Sequence, residues 1–201
     1  MAKGNRFVKW MEQKHTRRKK LVALASGAIL FLILIPSAFL LVTPFFDRLL
    51  IPIIGVWTGA LTQLGAPLAM TIGAALMAIG FGYAIWSIVT QYRLGGGTPV
   101  PAVPTKKLIV EGPYRNSRNP MYFGTVIMYL GLSVAYQSVS MFIAIFTIFV
   151  VPLLLWIKFI EEKELEIRFG DDYREYKRVT AFLIPRPSHR SRSKTLLENG
   201  N

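Results

Sequence analysis

Residues 121–157 read MYFGTVIMYLGLSVAYQSVSMFIAIFTIFVVPLLLWI, 37 positions without an Asp, Glu, Lys or Arg. About 20 helical residues, at about 1.5 Å each, cross a hydrocarbon core about 30 Å thick. The run is too long for one crossing and fits a helical hairpin turning near Tyr136-Gln137-Ser138. Working outward, Leu49–Tyr92 is 44 residues without a charge and Leu21–Val42 is 22. Within lipid a chain must satisfy its own backbone polar groups, so helices are the expected spans. The predicted fold class is all-α, a polytopic transmembrane helical bundle. A signal peptide competes for Leu21–Val42, because basic residues precede it; the run is longer than a signal core and lacks a small-residue cleavage site.

Composition agrees. Of 201 residues 52% are hydrophobic and only 17% charged, against about 25% charged in soluble domains. The 24 Lys and Arg outnumber 11 Asp and Glu, a net charge of +13. Such an excess can signal nucleic acid, but no zinc-finger, homeodomain or RNP pattern is present. The basic residues instead cluster beside the spans: eight in Met1–Lys20, five between Gln91 and Pro120, ten in Lys158–Asn201, and Arg48 next to Asp47. Membrane electrostatics explains this grouping, and the positive-inside rule predicts cytoplasmic termini and a cytoplasmic central loop in a plasma (inner) membrane. With no cysteine, and only His15 and His189 in basic tails, a histidine triad or a metal site is not expected.

Parity complicates the count. Two crossings must separate the N-terminus from Gln91, yet there is material for three: Leu21–Val42, about Phe45–Leu64 and Pro67–Thr90. The middle piece carries Pro52, Gly55, Gly59 and Gln63, so we expect a re-entrant or in-plane segment and four full spans; five spans is the alternative. The organisation is then a basic arm (1–20), N-terminal helices (21–90), a loop (91–120) opening on Gly95-Gly96-Gly97-Thr98-Pro99, the hairpin (121–157), a helical cytoplasmic segment (158–187) with a stop at Gly170, and a polar basic tail (188–201) expected to be disordered.

Polar groups near spans are the informative ones. Glu111–Tyr122 holds Pro120 suited to a helix first turn and Asn119 as its N-cap. That helix start, with Arg115 or Arg118, favours an anionic group. Tyr122, Thr125, Tyr129, Ser133 and Tyr136 fall on one helical face, which should look into the bundle, either for function or for hydrogen bonds between helices. In Ile160-Glu161-Glu162-Lys163-Glu164-Leu165, Glu164 can pair with Arg168 and Lys158 with Glu162. Glu161 shares its face with Leu165 and Phe169; a carboxylate on an apolar stripe needs a partner, and a cationic ligand would serve.

The stretches GPYRNSRNPMYFG, IEEKELEIRFGDDYREY and FLIPRP, with the hairpin between the first two, resemble the isoprenylcysteine carboxyl methyltransferase and phospholipid methyltransferase superfamily. The resemblance runs from about Leu108 to Pro187. It implies an integral membrane enzyme that uses S-adenosylmethionine, bound at the cytoplasmic face, to methylate a lipid-like or prenylated acceptor on a carboxyl or amine. The paired glutamates of its cofactor site match Glu161 and Glu162. The arginine–proline–tyrosine turn matches Arg118, Pro120 and Tyr122, and the glycine motif of an earlier helix matches Gly80-Phe81-Gly82. Tyr114 and Asn119 join the expected cofactor set, and Arg118, Glu161 and Tyr122 the catalytic one. Many relatives have histidine where this chain has Asn119, which can bond a cofactor but cannot titrate. Glycines 80 and 82 can also serve close helix packing. Expected partners are a lipophilic or prenylated substrate and membrane lipids, with no nucleic acid and no obligate protein partner. A nicotinamide-dependent lipid reductase, or a non-catalytic scaffold or transporter, is the competing reading.

Overall fold

The computed structural model describes residues 17–62, 65–96 and 105–186. The expectations for most of the basic arm, for the proline-rich linker and for the tail fall outside the described residues. Helix α1 runs Arg17–Ile29, passes through a π-helical turn at Leu30–Leu34 and continues as Ile35–Thr62. Helix α2 is Ala66–Gly95, and α3 is Pro120–Ala135 after a 3-10 turn at Gly112–Arg115. Helix α4, residues 139–169, contains π turns at Ile145–Val150 and Ile157–Glu161. Gly170 breaks it with φ 57 and ψ −126, and α5, residues 171–179, follows.

Among the described residues three helices are long and apolar enough to cross a membrane, and α3 is a shorter apolar helix. Their order answers the parity question. Lys20 donates to the Gly96 carbonyl and sits over the Tyr92 ring, so the start of α1 and the end of α2 share one end of the bundle. At the other end Asp47 of α1 accepts from Ser138 Oγ and, at 3.0 Å, from Ser140 N in the α3–α4 turn. Two passes therefore separate residue 17 from residue 96, and two more separate Pro120 from Lys158. The backbone of α1 runs into the Phe45–Leu64 region as helix to Thr62, so no turn sets that segment apart from the first span. Apart from Arg48, the described basic residues gather at the Lys20 end.

Two of the π turns, at Leu30–Leu34 and Ile145–Val150, have a local cause. A proline lacks an N–H and its ring collides with the carbonyl four residues back, and a widened turn relieves the collision. Pro36 follows Leu30–Leu34, and Pro152 follows Ile145–Val150. The carbonyl of Phe31 in the first of these turns accepts from the Tyr129 hydroxyl. Tyr129 is 1% exposed and lies in a core with Val126, Met128, Leu132, Met141, Ile145 and Val150. The predicted polar stripe is thus inward for Thr125, Tyr129 and Ser133, while Tyr136 is exposed at the far end. Thr125 and Ser133 bond within their own helix; Tyr129 alone of these reaches another.

Helices α2 and α3 meet through glycine. A Cβ on Gly80 would lie 2.5 Å from the Gly124 carbonyl oxygen and the Met128 nitrogen, and one on Gly124 would lie 2.6 Å from the Gly80 carbonyl oxygen. Gly73 and Gly131 repeat the contact two turns away, with 2.6 and 2.7 Å to each other's carbonyl oxygens. Between membrane helices such close backbone approach supplies the dispersion contacts that hold the pair.

Candidate active site

Below the α2–α3 contact, at the Lys20 end, lies a cavity open in part to solvent. The end of α2 gives it Gln91, the loop gives Lys107, Ile109 and Tyr114, and α3 begins in it with Pro120 and Tyr122. Helix α4 gives Glu161, Leu165 and Phe169, and α5 gives Tyr173 and Tyr176. The i, i+4, i+8 face read from the sequence for Glu161 is therefore the cavity face. Six of the expected site residues come together on this wall: Tyr114, Arg118, Asn119, Pro120, Tyr122 and Glu161.

Glu161 carries the polarity. Tyr122 Oη donates to its Oε2 at 3.0 Å, and among the described residues Glu161 makes no ion pair. A part-buried carboxylate with one hydrogen bond and no countercharge is suited to a ligand with a cationic centre. Across from it Tyr114 Oη donates to Gln91 Oε1 at 3.0 Å. Burial, and then the nearby Glu161 charge, push the Tyr114 phenol above its usual range, so it stays a neutral donor. Tyrosine and phenylalanine rings around the carboxylate can also face a cation.

Glu162 points the other way. It is 2% exposed, with Arg118 Nη2 at 2.8 Å and Lys177 Nζ at 3.0 Å; its oxygens make charge contacts that lack aligned hydrogen-bond geometry. The expected Lys158–Glu162 pair is not formed: Lys158 lies over the Phe182 ring instead. Helical spacing allowed that pair, but Glu162 is on the inner face, where Arg118 and Lys177 reach it. The Glu164–Arg168 pair does form, at 3.4 Å. Arg118 is equally engaged, since its Nη1 donates to the carbonyls of Lys177 and Thr180 at 2.7 and 3.0 Å. Its guanidinium thus faces the cap carbonyls and Glu162, while Arg115 is exposed.

Asn119 is the N-cap residue by position, but its side chain makes no cap hydrogen bond. Its Nδ2 donates to the Phe182 carbonyl at 2.8 Å, part of a seam in which Arg118 N donates to Ala181 O and Ser117 Oγ to Leu183 O. Gly80, Phe81 and Gly82 lie deeper in the bundle. Gly80 packs on α3, Phe81 is exposed and a Cβ at Gly82 would meet nothing within 4 Å; none of the three lines this cavity. Sequence reasoning missed Gln91, Lys107, Tyr173 and Tyr176 as wall residues. The tyrosines carried a signal in their i, i+3 spacing past Gly170, whereas Gln91 and Lys107 carried none.

Comparison with known proteins fits this geometry. A phospholipid methyltransferase family model matches residues 68–172, from α2 through the start of α5. A methanethiol S-methyltransferase of Bradyrhizobium diazoefficiens is 30% identical over 97 residues, which is 48% of this chain and 31% of that protein. The matched stretch thus spans about a third of that relative. No solved structure gives a significant match. The family match takes in both helices of the glycine contact, the Arg118–Tyr122 turn and the Glu161-Glu162 pair, and the chain belongs to the phospholipid methyltransferase family.

Proposed function

We propose that this protein takes a methyl group from S-adenosylmethionine and gives it to a lipophilic acceptor at the membrane face where its basic residues gather. The observation that carries the reading is the Glu161 carboxylate, set in the cavity wall with one tyrosine hydrogen bond and no countercharge among the described residues. The donor fits this wall chemically. It has sulfonium and ammonium cations for Glu161 and the aromatic rings, and a carboxylate for Lys107 at the rim. When bound it supplies an electrophilic methyl group for direct displacement. The protein's part is to hold the cationic centre with Glu161 and Tyr122, to enclose it with Tyr114, Tyr173 and Tyr176, and to keep acceptor and methyl in line.

The acceptor enters from lipid in this reading, as an amphiphile or a prenylated group. Carboxyl oxygen and amine nitrogen are both chemically open to it, and the Bradyrhizobium relative adds sulfur. By the positive-inside rule the cavity faces the cytoplasm of a plasma membrane.

The test is binding of S-adenosylmethionine, S-adenosylhomocysteine and NADPH to detergent-purified protein, followed by transfer of radiolabelled methyl into membrane lipid extract. Micromolar affinity for the methyl donor is expected, and label in an extractable lipid; base-labile label marks an ester and stable label an amine or thioether. Binding of the nicotinamide with none of the methyl donor overturns the reading.

A further inference from the structure

Gly170 turns the chain back on itself. Its φ of 57 is open to glycine without strain, and the reversal brings Lys177 Nζ to Glu166 at 2.9 Å and to Glu162 at 3.0 Å. In a straight helix residues 162 and 177 would be separated by about 22 Å, beyond the reach of any side chain. The returning helix α5 carries Tyr173 and Tyr176, 1% and 3% exposed, and these form one wall of the cavity.

What holds α5 there is a set of charges. The last carbonyls of a helix lack partners within it; here Arg118 supplies them at Lys177 and Thr180. The same guanidinium meets Glu162 on its other amino group, and Lys177 closes the set from the far side. Glu162 has a cation at each oxygen and is absent from the cavity wall. Its neighbour Glu161 faces the cavity and has neither. Tyr176 Oη adds one bond, to the Tyr114 carbonyl at 2.6 Å.

We propose that Glu162, Arg118 and Lys177 form a clasp that positions α5 as a wall of the cavity, and that Lys177 is a positioning residue for the ligand bound there. The clasp stands on geometry alone; the effect on the ligand rests on the methyltransferase reading. Lys177 is the member to test, because it is 37% exposed. Removing it leaves Glu162 paired with Arg118, so the cap keeps a countercharge and the chain a route to folding.

The experiment compares hydrogen exchange and S-adenosylhomocysteine affinity in the detergent-purified full chain as wild type, Lys177→Met, Lys177→Arg and the milder Glu166→Gln. In Lys177→Met the amides of residues 171–179 should exchange about tenfold faster, as a locally loosened unit does, with residues 121–135 unchanged. Affinity should fall about fivefold, the lower end of ordinary coupling between sites. Lys177→Arg should restore both, and Glu166→Gln should move both in the direction of Lys177→Met by less. Unchanged exchange in Lys177→Met sinks the clasp. Faster exchange with unchanged affinity sinks the positioning role. If wild type binds no S-adenosylhomocysteine, the methyltransferase reading falls, and the exchange data decide the clasp by themselves.

Discussion

Where α2 crosses α3, the tightest approaches are between backbones, and a Cβ on Gly80 would come to 2.5 Å from a carbonyl oxygen. In the cap, the end of α4 with the returning α5, the close approaches are between charges and polar groups, with Arg118 2.8 Å from Glu162 and Lys177 3.0 Å from it. Each solution suits its solvent. Lipid tails are as apolar as leucine, so helices within them gain little from burying apolar side chains and associate through fit. The cap stands at the aqueous edge, where exposed pairs contribute little but a shielded pair is costly to break from one side. The membrane half should therefore fail when a side chain is made larger, and the cap when a charge is removed.

The largest effect is expected at Arg118. Arg118→Met leaves Glu162, 2% exposed, beside Lys177 alone and strips the end of α5 of its carbonyl partner. Breaking a buried pair from one side costs about 3–5 kcal/mol. Thermal unfolding in detergent should drop by many degrees, with proteolysis concentrated after Gly170. A midpoint like that of wild type would mean that the seam of Ser117, Asn119 and the strand-like stretch from Ala181 holds the cap without the ion pairs.

Next is Gly80→Ala, expected to cost about 1–3 kcal/mol by overpacking, because the new methyl meets the α3 backbone at Gly124 and Met128. Gly82→Ala is the control, with open space around its Cβ, and should be silent. Both are read as thermal midpoint and, separately, as S-adenosylhomocysteine affinity. If Gly82→Ala loses affinity at full stability, the glycine motif has a ligand role that its position in the bundle does not reveal.

These two tests also mark what the sequence could and could not disclose. The passes were legible because a charge in lipid is costly, so runs without one stand out. The start of α3 at Pro120 and the break at Gly170 followed from what proline and glycine do to a backbone. The inward face of Glu161, Leu165 and Phe169 followed from helical period alone. Gly80 was ambiguous, since a glycine that admits a cofactor and one that admits a helix look the same in one chain. The partner of Glu162 was illegible for a different reason. Local spacing offered Lys158, whereas the chain reversal at Gly170 delivers Lys177, fifteen residues on. The start of α5 right after the break was equally hidden, and with it two tyrosines of the wall.

Glu161→Gln divides the adjacent glutamates by function. It keeps the shape and the acceptor for Tyr122 while removing the charge that faces the cavity. Affinity for S-adenosylmethionine should fall at least tenfold, about 1.4 kcal/mol, at near-wild-type thermal stability. Glu162→Gln should show the reverse balance, with stability falling first. Equal behaviour of the two variants would remove the distinction between cavity and clasp.

The smallest effect, and the sharpest for mechanism, is Tyr122→Phe. Tyr122 Oη holds Glu161 Oε2 at 3.0 Å, and a hydrogen bond to a charged group contributes about 1.5–3 kcal/mol. Only the part that differs between free and ligand-bound protein reaches the affinity, so the expected loss is about threefold to fivefold, below about 1 kcal/mol. If Tyr122 acts by aiming the carboxylate, its loss should matter less once the charge is gone. In a double-mutant cycle, Tyr122→Phe in the Glu161→Gln background should then weaken binding by less than it does alone. Additive losses would instead give the Tyr122 hydroxyl its own contact with the ligand. Glu161 would then be one of two independent contacts rather than the centre of the site.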